Sequence, residues 1–458
     1  MKKTLLISCI LCVSISYGQT WQAAGTGMNG NVFALYTYDS LLFAGGTFTS
    51  AGSNPANDIA QWNNSTWAPL GEGVNGSVNA ITSYNGKLYV GGKFDSAGGI
   101  AARNIAMWNG TTWAALGKGV NDTVKAFIVL NGNLYVGGCF DSADGLLVNS
   151  VAEWNGVSWD SLGGGVNGHV YAFTNYGSNI IAGGLIDTAN IFWTTNNYMQ
   201  EWNGINWIGF GDSSTNFCSH PVYAITYFED ALFCGGTLGD TTGGRESSYF
   251  TNWVGDGANA GNATIWSEPG GPDAPIYAMA VYDSILYLGG RFDTTYGWPT
   301  KCIASCSNDT GWSAWDTVGG GLNNTVYALA VYNGQLYAGG AFTQYYQGIN
   351  HSSKSKGYAA NHIATYKSPK PTSVNTLVHR ATFKVYPNPF TTTCTVLFSE
   401  SGTHYLELDD ITGRKLRTVE STDKQYELNR DGIAQGMYLL KIFDRQMKYE
   451  SSLKLVIQ

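Results

Sequence analysis

A Gly-Gly doublet recurs seven times along the chain at nearly even intervals. Successive doublets are 46, 46, 46, 52, 54 and 50 residues apart, and the same short apolar runs and tryptophans return around each of them. A repeat of about 50 residues built from short β segments is typical of β-propeller blades. The spacing therefore predicts an all-β propeller. The doublets are Gly45-Gly46, Gly91-Gly92, Gly137-Gly138, Gly183-Gly184, Gly235-Gly236, Gly289-Gly290 and Gly339-Gly340.

Turn signals divide the second repeat into four strands. Asn85-Gly86 and Asn109-Gly110 are dipeptides that favour tight hairpin turns. We therefore expect short turns from strand a to b and from c to d, and longer connections from b to c and from d to the next a. The longer connections emerge together on one face, which then carries the variable loops. The predicted strands are Val78 to Tyr84, Lys87 to Gly92, Asn104 to Trp108 and Thr112 to Leu116.

Seven strand-d tryptophans accompany the seven doublets, but the two series are out of phase. Trp21 precedes the first doublet, whereas the last repeat stops after its strand c, at His362 to Tyr366. We predict that the segment from Trp21 to Gly27 supplies the outer strand of the last blade and closes a ring of seven blades, which removes two exposed sheet edges. The tryptophans are Trp21, Trp67, Trp113, Trp159, Trp207, Trp266 and Trp315.

An apolar strand that ends in Gly-Gly, followed by an aromatic residue and then by a Trp on the next strand, resembles the kelch repeat. The resemblance covers residues 21–366, and Cys306 in the sixth repeat departs from it. It implies a propeller that acts more often as a binding scaffold than as an enzyme. We assign residues 19–367 to this domain. The strand-c aromatics that carry the match are Trp62, Trp108, Trp154, Trp202, Trp253 and Tyr366.

Residues 1–18 have the features of a secretory signal peptide. Two lysines precede an apolar stretch from Leu5 to Ile15, and small residues lie before a cut at Gln19. Cys9 offers a lipoprotein cleavage pattern as an alternative, with a shorter apolar region. No later run approaches the roughly 18 apolar residues of a membrane-spanning helix. We therefore expect export to the periplasm, and from there secretion or display on the outer cell surface, without a transmembrane segment.

Composition and charge narrow the choice of partners. The 59 glycines and 13% charged residues are typical of a turn-rich all-β protein. The net charge of −8, without a basic stripe, argues against nucleic acid as a partner.

Export permits disulfides between the cysteines but establishes none. Cys302 and Cys306 would lie about 13 Å apart on one strand at roughly 3.3 Å per residue, too far for a disulfide, so burial as small apolar residues is favoured over zinc binding.

The composition changes abruptly after Tyr366. Residues 368–380 form a linker rich in Ser, Pro and Lys, and none of the 15 tryptophans follows it. We predict a second domain at residues 381–458, a small immunoglobulin-like β-sandwich of seven alternating strands. These are Phe383 to Tyr386, Thr395 to Phe398, Tyr405 to Leu408, Lys415 to Val419, Gln425 to Leu428, Met437 to Phe443 and Ser452 to Ile457.

Three motifs in this tail resemble the type A C-terminal sorting domain of the Bacteroidota type IX secretion system. They are Val385-Tyr386-Pro387-Asn388-Pro389, Gly436-Met437-Tyr438-Leu439-Leu440-Lys441-Ile442 and Lys454-Leu455-Val456-Ile457-Gln458. The resemblance implies recognition by the type IX machinery, removal of the tail, and either release or attachment to surface lipopolysaccharide. It assigns the sorting motif to Pro387, Asn388, Pro389, Gly436, Tyr438 and Lys454. A generic immunoglobulin-like adhesion module is the alternative.

The repeat itself argues against the most visible carboxylates as catalytic groups. Asp95, Asp141, Asp187 and Asp293 occupy the same position after their doublets, so each is expected to cap a loop through its side chain. Calcium binding by the loop from Asp141 to Gly145 and O-glycosylation of the Asp-Ser/Thr-small triplets stay open. No complete ligand set for calcium, zinc or copper is present, so we assign no cofactor, no metal and no catalytic residue.

Loop aromatics are the best candidates for a binding site. Inserted loops of repeats four to seven break the symmetry, and aromatic rings stack on sugars or anchor protein interfaces. The sequence does not distinguish a glycan from a protein as the ligand. A glycan-cleaving enzyme that uses Arg245 and Glu246 is the competing hypothesis. The candidate binding residues are Phe192, Trp193, Tyr249, Tyr296, Trp298, Tyr345 and Tyr346.

Overall fold

The structure of the protein is a computed structural model. It describes residues 20–186, 198–210, 220–229, 231–237, 249–253, 271–295, 297–307, 314–347, 356–367, 383–386, 390–398, 403–410, 415–443 and 449–457. The chain folds into two compact units, residues 1–370 and residues 371–458. The predicted signal peptide lies outside the described residues, as does the whole predicted linker.

The first unit contains seven antiparallel sheets that follow one another along the chain. Each has strand order a-b-c-d, and in the described residues the fifth has strands a, b and c. Every strand a lies against strand a of the next sheet, and the seventh lies against the first, so the inner strands form a closed ring. This arrangement is a β-propeller, and the predicted all-β propeller class is confirmed. The kelch resemblance remains a prediction.

The strand bounds repeat from blade to blade, counted from the blade that holds Gly45. The a strands are Asn31–Tyr38, Ser77–Tyr84, Val124–Leu130, Gly168–Tyr176, Val222–Phe228, Ile276–Tyr282 and Val326–Tyr332. The b strands are Leu41–Thr47, Lys87–Lys93, Asn133–Gly138, Asn179–Ile186, Ala231–Gly236, Ile285–Gly290 and Gln335–Gly340. The c strands are Ile59–Trp62, Ile105–Trp108, Val151–Trp154, Met199–Trp202, Phe250–Trp253, Ile303–Ser307 and Ile363–Lys367. The d strands are Trp67–Pro69, Trp113–Ala115, Trp159–Ser161, Trp207–Gly209, Ala314–Thr317 and Thr20–Ala23.

The N-terminal strand Thr20–Ala23 is the outer strand of blade 7. It pairs antiparallel with Ile363–Lys367, and Trp21 lies opposite Tyr366. The Trp21 side chain is 0% exposed, and its indole N–H donates to the carbonyl of Val318 at 2.8 Å. Two ends of the chain segment that forms the propeller therefore meet in one sheet.

Equivalent tryptophans join each of blades 1 to 4 to the blade before it. The indole of Trp113 donates to the carbonyl of Leu70, 43 residues earlier, in the loop that leaves the outer strand of the preceding blade. Trp67, Trp159 and Trp207 make the same bond to Ala24, Leu116 and Leu162. A buried indole N–H favours a partner, and in these tryptophans the partner belongs to the neighbouring blade's connection.

The doublets allow close approach of strands and blades. A Cβ added to Gly91 would collide with the Val124 side chain of the next blade. A Cβ on Gly92 would collide with the Ser77 carbonyl oxygen of strand a and would lie 3.0 Å from the Cα of Val78. The first glycine therefore fits the blade interface, and the second fits the pairing of strands a and b.

Replacing the second glycine of a doublet is expected to destabilise the propeller. Gly92→Ala should lower the free energy of unfolding by about 1 to 3 kcal/mol or more, because the new methyl group meets backbone that cannot move aside alone. Gly271→Ala is the matched control, since nothing lies within 4 Å of its Cβ position. Urea unfolding of both variants checks this. Equal midpoints would contradict the packing role of the doublet.

Small hairpins form within five of the long b to c connections. They pair Ser50–Ala51 with Asn54–Pro55, Ser96–Ala97 with Ile100–Ala101, Ser142–Ala143 with Leu146–Leu147, Thr294–Thr295 with Trp298–Pro299, and Gln344–Tyr346 with Gly357–Ala359. They lie beside the loops from d to a, and an isolated bridge joins Val74 to Ala97.

The caps of these hairpins come from a different residue than the sequence indicates. The Asn75 side-chain oxygen accepts from the backbone N–H groups of Asp95 and Ser96, at 2.9 and 2.8 Å. For Asp95, Asp141 and Asp293, the expectation that the aspartate supplies the cap needs correction, because its backbone N–H is what is capped. Asp187 lies outside the described residues. Asp141 even uses its carboxylate to accept from the Asn121 amide, at 2.6 Å. The residues that cap, 20 positions before their partners, are Asn29, Asn75, Asn121, Asp273 and Asn323.

Asp58 in blade 1 occupies the place that Asn104 occupies in blade 2. Asn104 accepts from the Phe94 N–H and donates to the Val120 carbonyl, at 3.2 and 2.9 Å. Asp58 accepts from the Phe48 N–H at 3.0 Å, and an ionised carboxylate has no proton to donate. Burial raises the pKa of Asp58 to about 6, while its bond to Phe48 opposes the rise.

Asp58→Asn is expected to stabilise the propeller at neutral pH. The folded-state pKa of Asp58 is raised above its ordinary value. The free energy of unfolding is therefore highest, as far as Asp58 is concerned, below about pH 4, and it falls as the pH rises to about 6. The variant should gain about 1 to 3 kcal/mol at pH 7.5 and nothing at pH 4. Thermal unfolding across this pH range measures the difference. Asp95→Asn, a substitution at an exposed position, is the control. A gain that is independent of pH would contradict the explanation.

The second unit is a two-sheet sandwich. One sheet contains Phe383–Tyr386, Thr393–Phe398 and Gln425–Asn429, and the other contains Lys415–Ser421, His404–Asp410, Gly436–Phe443 and Tyr449–Ile457. Both sheets contribute to one hydrophobic core, which includes Val396, Leu408 and Leu440. Strands lie at all seven predicted positions. The immunoglobulin-like connectivity remains a prediction.

Candidate functional site

A β-bulge interrupts the start of every strand a of the propeller. In blade 4 the pairing shifts between Val170 and Ala172, which leaves Tyr171 as the extra residue. The valine side of the bulge faces the preceding blade, since Val170 is close to Gly137. A bulge redirects the side chain of its extra residue. The seven bulged residues are Phe33, Asn79, Lys125, Tyr171, Tyr223, Tyr277 and Tyr327.

These seven residues, the channel-mouth ring, lie on the innermost strands. Because the a strands lie against one another around the closed ring, they surround the central channel. The bulge is at the beginning of strand a, so the ring lies at the end of the channel where the b to c and d to a connections emerge. All seven side chains are half-buried.

Five members of the ring are aromatic and form a continuous arc across blades 4, 5, 6, 7 and 1. Centroid distances are 5.5 Å from Tyr171 to Tyr223 and 5.3 Å from Tyr223 to Tyr277. They are 5.6 Å from Tyr277 to Tyr327 and 5.3 Å from Tyr327 to Phe33. Aromatic pairs favour such separations. The remaining members, Asn79 and Lys125, are polar and belong to blades 2 and 3.

A second layer of residues adjoins the ring, one immediately after each Gly-Gly doublet. The backbone N–H of Cys139 donates to the Thr123 carbonyl at 2.9 Å, directly before the start of strand a in that blade. Arg291 makes the corresponding bond to Pro275 in blade 6. Every member is half-buried or exposed. The layer consists of Thr47, Lys93, Cys139, Leu185, Thr237, Arg291 and Ala341.

Burial and neighbouring groups shift the pKa values of Tyr277 in the ring and of Cys139 in the second layer. Burial raises the pKa of Tyr277, Tyr223 and Tyr327 add to the rise, and Arg291 opposes it. Burial also raises the pKa of the Cys139 thiol, with Lys125 opposing. Tyr277 therefore keeps its proton at neutral pH and can donate a hydrogen bond from its hydroxyl group. The thiol is not activated as a nucleophile.

Four of the seven aromatics predicted from the inserted loops lie within the described residues, and they belong to blades 5, 6 and 7. Trp298 is 56% exposed at the hairpin of blade 6, and Tyr249 is half-buried beside strand c of blade 5. Tyr346 is half-buried in blade 7, with the Lys301 ammonium 3.8 Å from its ring centroid. Phe192, Trp193 and Tyr296 lie outside the described residues, as do Arg245 and Glu246.

The structure corrects the prediction that Tyr345 is a binding residue. Its side chain is 9% exposed and belongs to a hydrophobic core cluster. It stacks on Tyr358 across the small hairpin, with a centroid distance of 5.4 Å. The ring packs back onto its own blade and is not offered to a ligand.

The sorting-motif residues are described in part. Gly436 begins a central strand of the tail, and Tyr438 is 9% exposed and donates to the Ala434 carbonyl at 2.8 Å. Lys454 pairs with Leu439 in the same sheet. Pro387, Asn388 and Pro389 lie outside the described residues.

Sequence reasoning missed the channel-mouth ring, although a signal was present. Near the start of every strand a, a Val or Ile is followed by one variable residue and then Ala, and the variable residue is aromatic in five of the seven repeats. Among the described residues, His, Cys, Asp and Glu form no group of three or more that could hold a metal ion.

Comparison with known families identifies the tail. Residues 384–458 match the secretion system C-terminal sorting domain family. A tail of this kind marks a protein for export by the type IX secretion system, so the protein is secreted or displayed at the cell surface. The described part of the chain contains no helix that is long and apolar enough to cross a membrane.

Solved structures of low identity resemble the chain, and no curated protein matches it in sequence. PorZ, a surface component of the type IX secretion system of Porphyromonas gingivalis, is 14% identical with a TM-score of 0.42, covering 94% of this chain and 59% of PorZ. The extracellular domain of a putative hybrid two-component system from Bacteroides thetaiotaomicron is 9% identical with a TM-score of 0.47, covering 96% and 59%. The WD40 propeller of Doa1 is 12% identical with a TM-score of 0.44, covering 77% and 98%. The chain thus spans 59% of the length of the first two.

Proposed function

We propose that this protein is an exported, non-catalytic binding scaffold whose ligand, a glycan or a protein, binds at the channel mouth of the propeller. The ligand contacts the face that carries the b to c and d to a connections. The observation that supports the proposal is the arc of five half-buried aromatic side chains across consecutive blades.

The geometry favours recognition. The arc residues are held by the a strands of the closed propeller. Their aromatic side chains are therefore preorganised, and little conformational entropy is lost on binding. Aromatic surfaces with nearby polar groups at a concave site are typical of ligand-binding regions. The half-exposed rings share the face where the connecting loops emerge, so a ligand can reach both.

The route to the surface completes the proposal. A leader at residues 1–18 would direct the chain to the periplasm, and the tail would then carry it through the outer membrane. Removal of the tail would leave the propeller either released or attached to lipopolysaccharide. Only the propeller would then meet the ligand outside the cell.

Replacing one arc residue is expected to weaken ligand binding. Tyr223→Ala should cost about 1 to 3 kcal/mol of binding free energy if the ring stacks on the ligand. Tyr227→Ala is the matched control, because Tyr227 is on the same strand toward the opposite face and is 40% exposed. A glycan array with the full chain identifies a ligand, or chemical cross-linking on the cell surface identifies a protein partner, and calorimetry compares the variants.

Two results would contradict the proposal. Equal affinities of the Tyr223→Ala and Tyr227→Ala variants would show that the ligand does not bind at the channel mouth. Turnover of a glycoside that is lost in Glu246→Gln would instead support the enzyme hypothesis.

A further inference from the structure

Within the channel-mouth ring and its second layer, the charged residues share one sign. The ring and its second layer comprise fourteen positions, two from each blade, and the charged ones are Lys93, Lys125 and Arg291. All three are basic, although the whole chain has a net charge of −8. A mouth lined by one sign of charge attracts ligands of the opposite sign.

Two aspartates near these positions in the described part of the chain, Asp122 and Asp273, accept hydrogen bonds from the backbone. The Asp122 carboxylate accepts from the N–H and the hydroxyl of Thr123, at 2.6 and 2.9 Å. That backbone bond, mainly, holds the pKa of Asp122 below its usual range, with Lys93 and His169 contributing. In blade 6 Asp273 accepts from the N–H groups of Asp293 and Thr294 and from the hydroxyl of Thr294. These carboxylates serve as caps for the loops.

The two lysines and the aromatic arc occupy different sectors of the mouth. Lys93 and Lys125 belong to adjacent blades 2 and 3, and Asn79 lies with them. The aromatic arc fills the remaining five blades, with Arg291 beside Tyr277. A ligand that spans the mouth therefore meets ring faces in one sector and cationic side chains in the other.

The composition of the arc indicates the chemistry of the ligand. Four of its five members are tyrosines, and each combines a face that packs on sugar C–H groups with a hydroxyl that bonds to sugar hydroxyls. Aliphatic side chains at the fourteen positions are limited to Leu185 and Ala341. A peptide helix or strand usually needs an apolar groove or a free sheet edge, so this lining favours a sugar.

We infer that the channel mouth binds an acidic glycan, with the sugar rings on the tyrosine arc and carboxylates at Lys93 and Lys125. This rests on the proposed binding function and assigns its ligand to one chemical class. Lysine offers three donors and a point charge to a carboxylate. The two lysines on neighbouring blades suit a polymer that repeats its carboxylates.

The test uses the full chain and two polymers, polygalacturonate and polysialic acid, each beside its carboxyl-reduced form. At least one acidic polymer should bind, and its reduced form should bind at least tenfold more weakly. The double variant Lys93→Ala with Lys125→Ala should lose at least tenfold in affinity for the acidic polymer. Lys87→Ala is the matched control, because exposed Lys87 begins the strand that Lys93 ends.

The outcomes separate this inference from the function on which it rests. If the reduced glycans bind as tightly and the double variant is unaffected, the mouth binds neutral sugar and the inference is wrong, while the binding function stands. If polyglutamate binds as tightly as the glycans and Tyr223→Ala changes nothing, the lysines are an unspecific basic patch and the inference is again wrong. If the array and the cross-linking find a ligand only away from the mouth, both proposals fall.

Discussion

Deletion of residues 20–27 is expected to open the propeller and to lower its stability by several kcal/mol. The deletion removes the outer strand of blade 7, including the pairing of Trp21 with Tyr366 and the indole bond to Val318. It also uncovers the hydrophobic cluster in which Trp21 is fully buried. Burying a tryptophan-sized side chain contributes about 3 to 5 kcal/mol, and the unpaired sheet edge adds a site for aggregation.

The single substitution Trp21→Ala tests the same closure with the backbone intact. It should lower the thermal midpoint strongly, whereas Trp298→Ala, at a position 56% exposed, should leave it nearly unchanged. Small-angle scattering of the deletion variant should show a larger radius of gyration. An unchanged midpoint and radius would mean that the N-terminal strand is an addition to a ring that is stable without it.

The repeat architecture can be derived from the sequence because its causes are local and periodic. Each doublet contains one glycine that faces a neighbouring blade and one that faces a backbone carbonyl at or directly before the start of strand a, as Gly91 and Gly92 do. No other residue fits either place, so the pattern is visible in every repeat. The sequence also predicts that the strand at Trp21 joins the last blade, and Trp21 lies opposite Tyr366.

The capping residues could not be predicted because their partners are distant in sequence. Asn75 caps backbone 20 residues later, and a motif search that begins at the conspicuous aspartates, such as Asp95, selects the capped residue instead of the cap. Only the three-dimensional proximity of the d to a loop and the b to c hairpin distinguishes the two.

The channel-mouth ring was missed for a related reason. A strand with perfect alternation would place Tyr171 in the face between blades, where an aromatic residue has an ordinary packing role. The bulge between Val170 and Ala172 changes this direction, and bulges follow from register, which the sequence does not state. Tyr345 shows the opposite error, since a loop aromatic packs into the core.

The last prediction concerns the tail, whose loss is expected to abolish export. Truncation after Lys370 removes the whole second unit and the segment that matches the sorting-domain family. The hydrophobic core of the tail contains only residues of the tail, so the propeller should fold without it. In a bacterium with a working type IX system, the truncated protein should be absent from the medium and the surface and should accumulate inside the cell.

A point variant separates the folded tail from the mere presence of its sequence. Leu440 is 0% exposed in the core of the sandwich, so Leu440→Asp places a carboxylate among apolar side chains and should unfold the tail. We expect export to fall to the level of the truncation, while Lys424→Ala at an exposed position leaves it unchanged. Cell fractionation with immunoblotting measures all three proteins, and limited proteolysis verifies that the propeller stays folded. Normal surface delivery of the truncated chain would show that the export signal lies elsewhere in the chain. This test does not depend on the ligand, because the tail acts before the propeller reaches it.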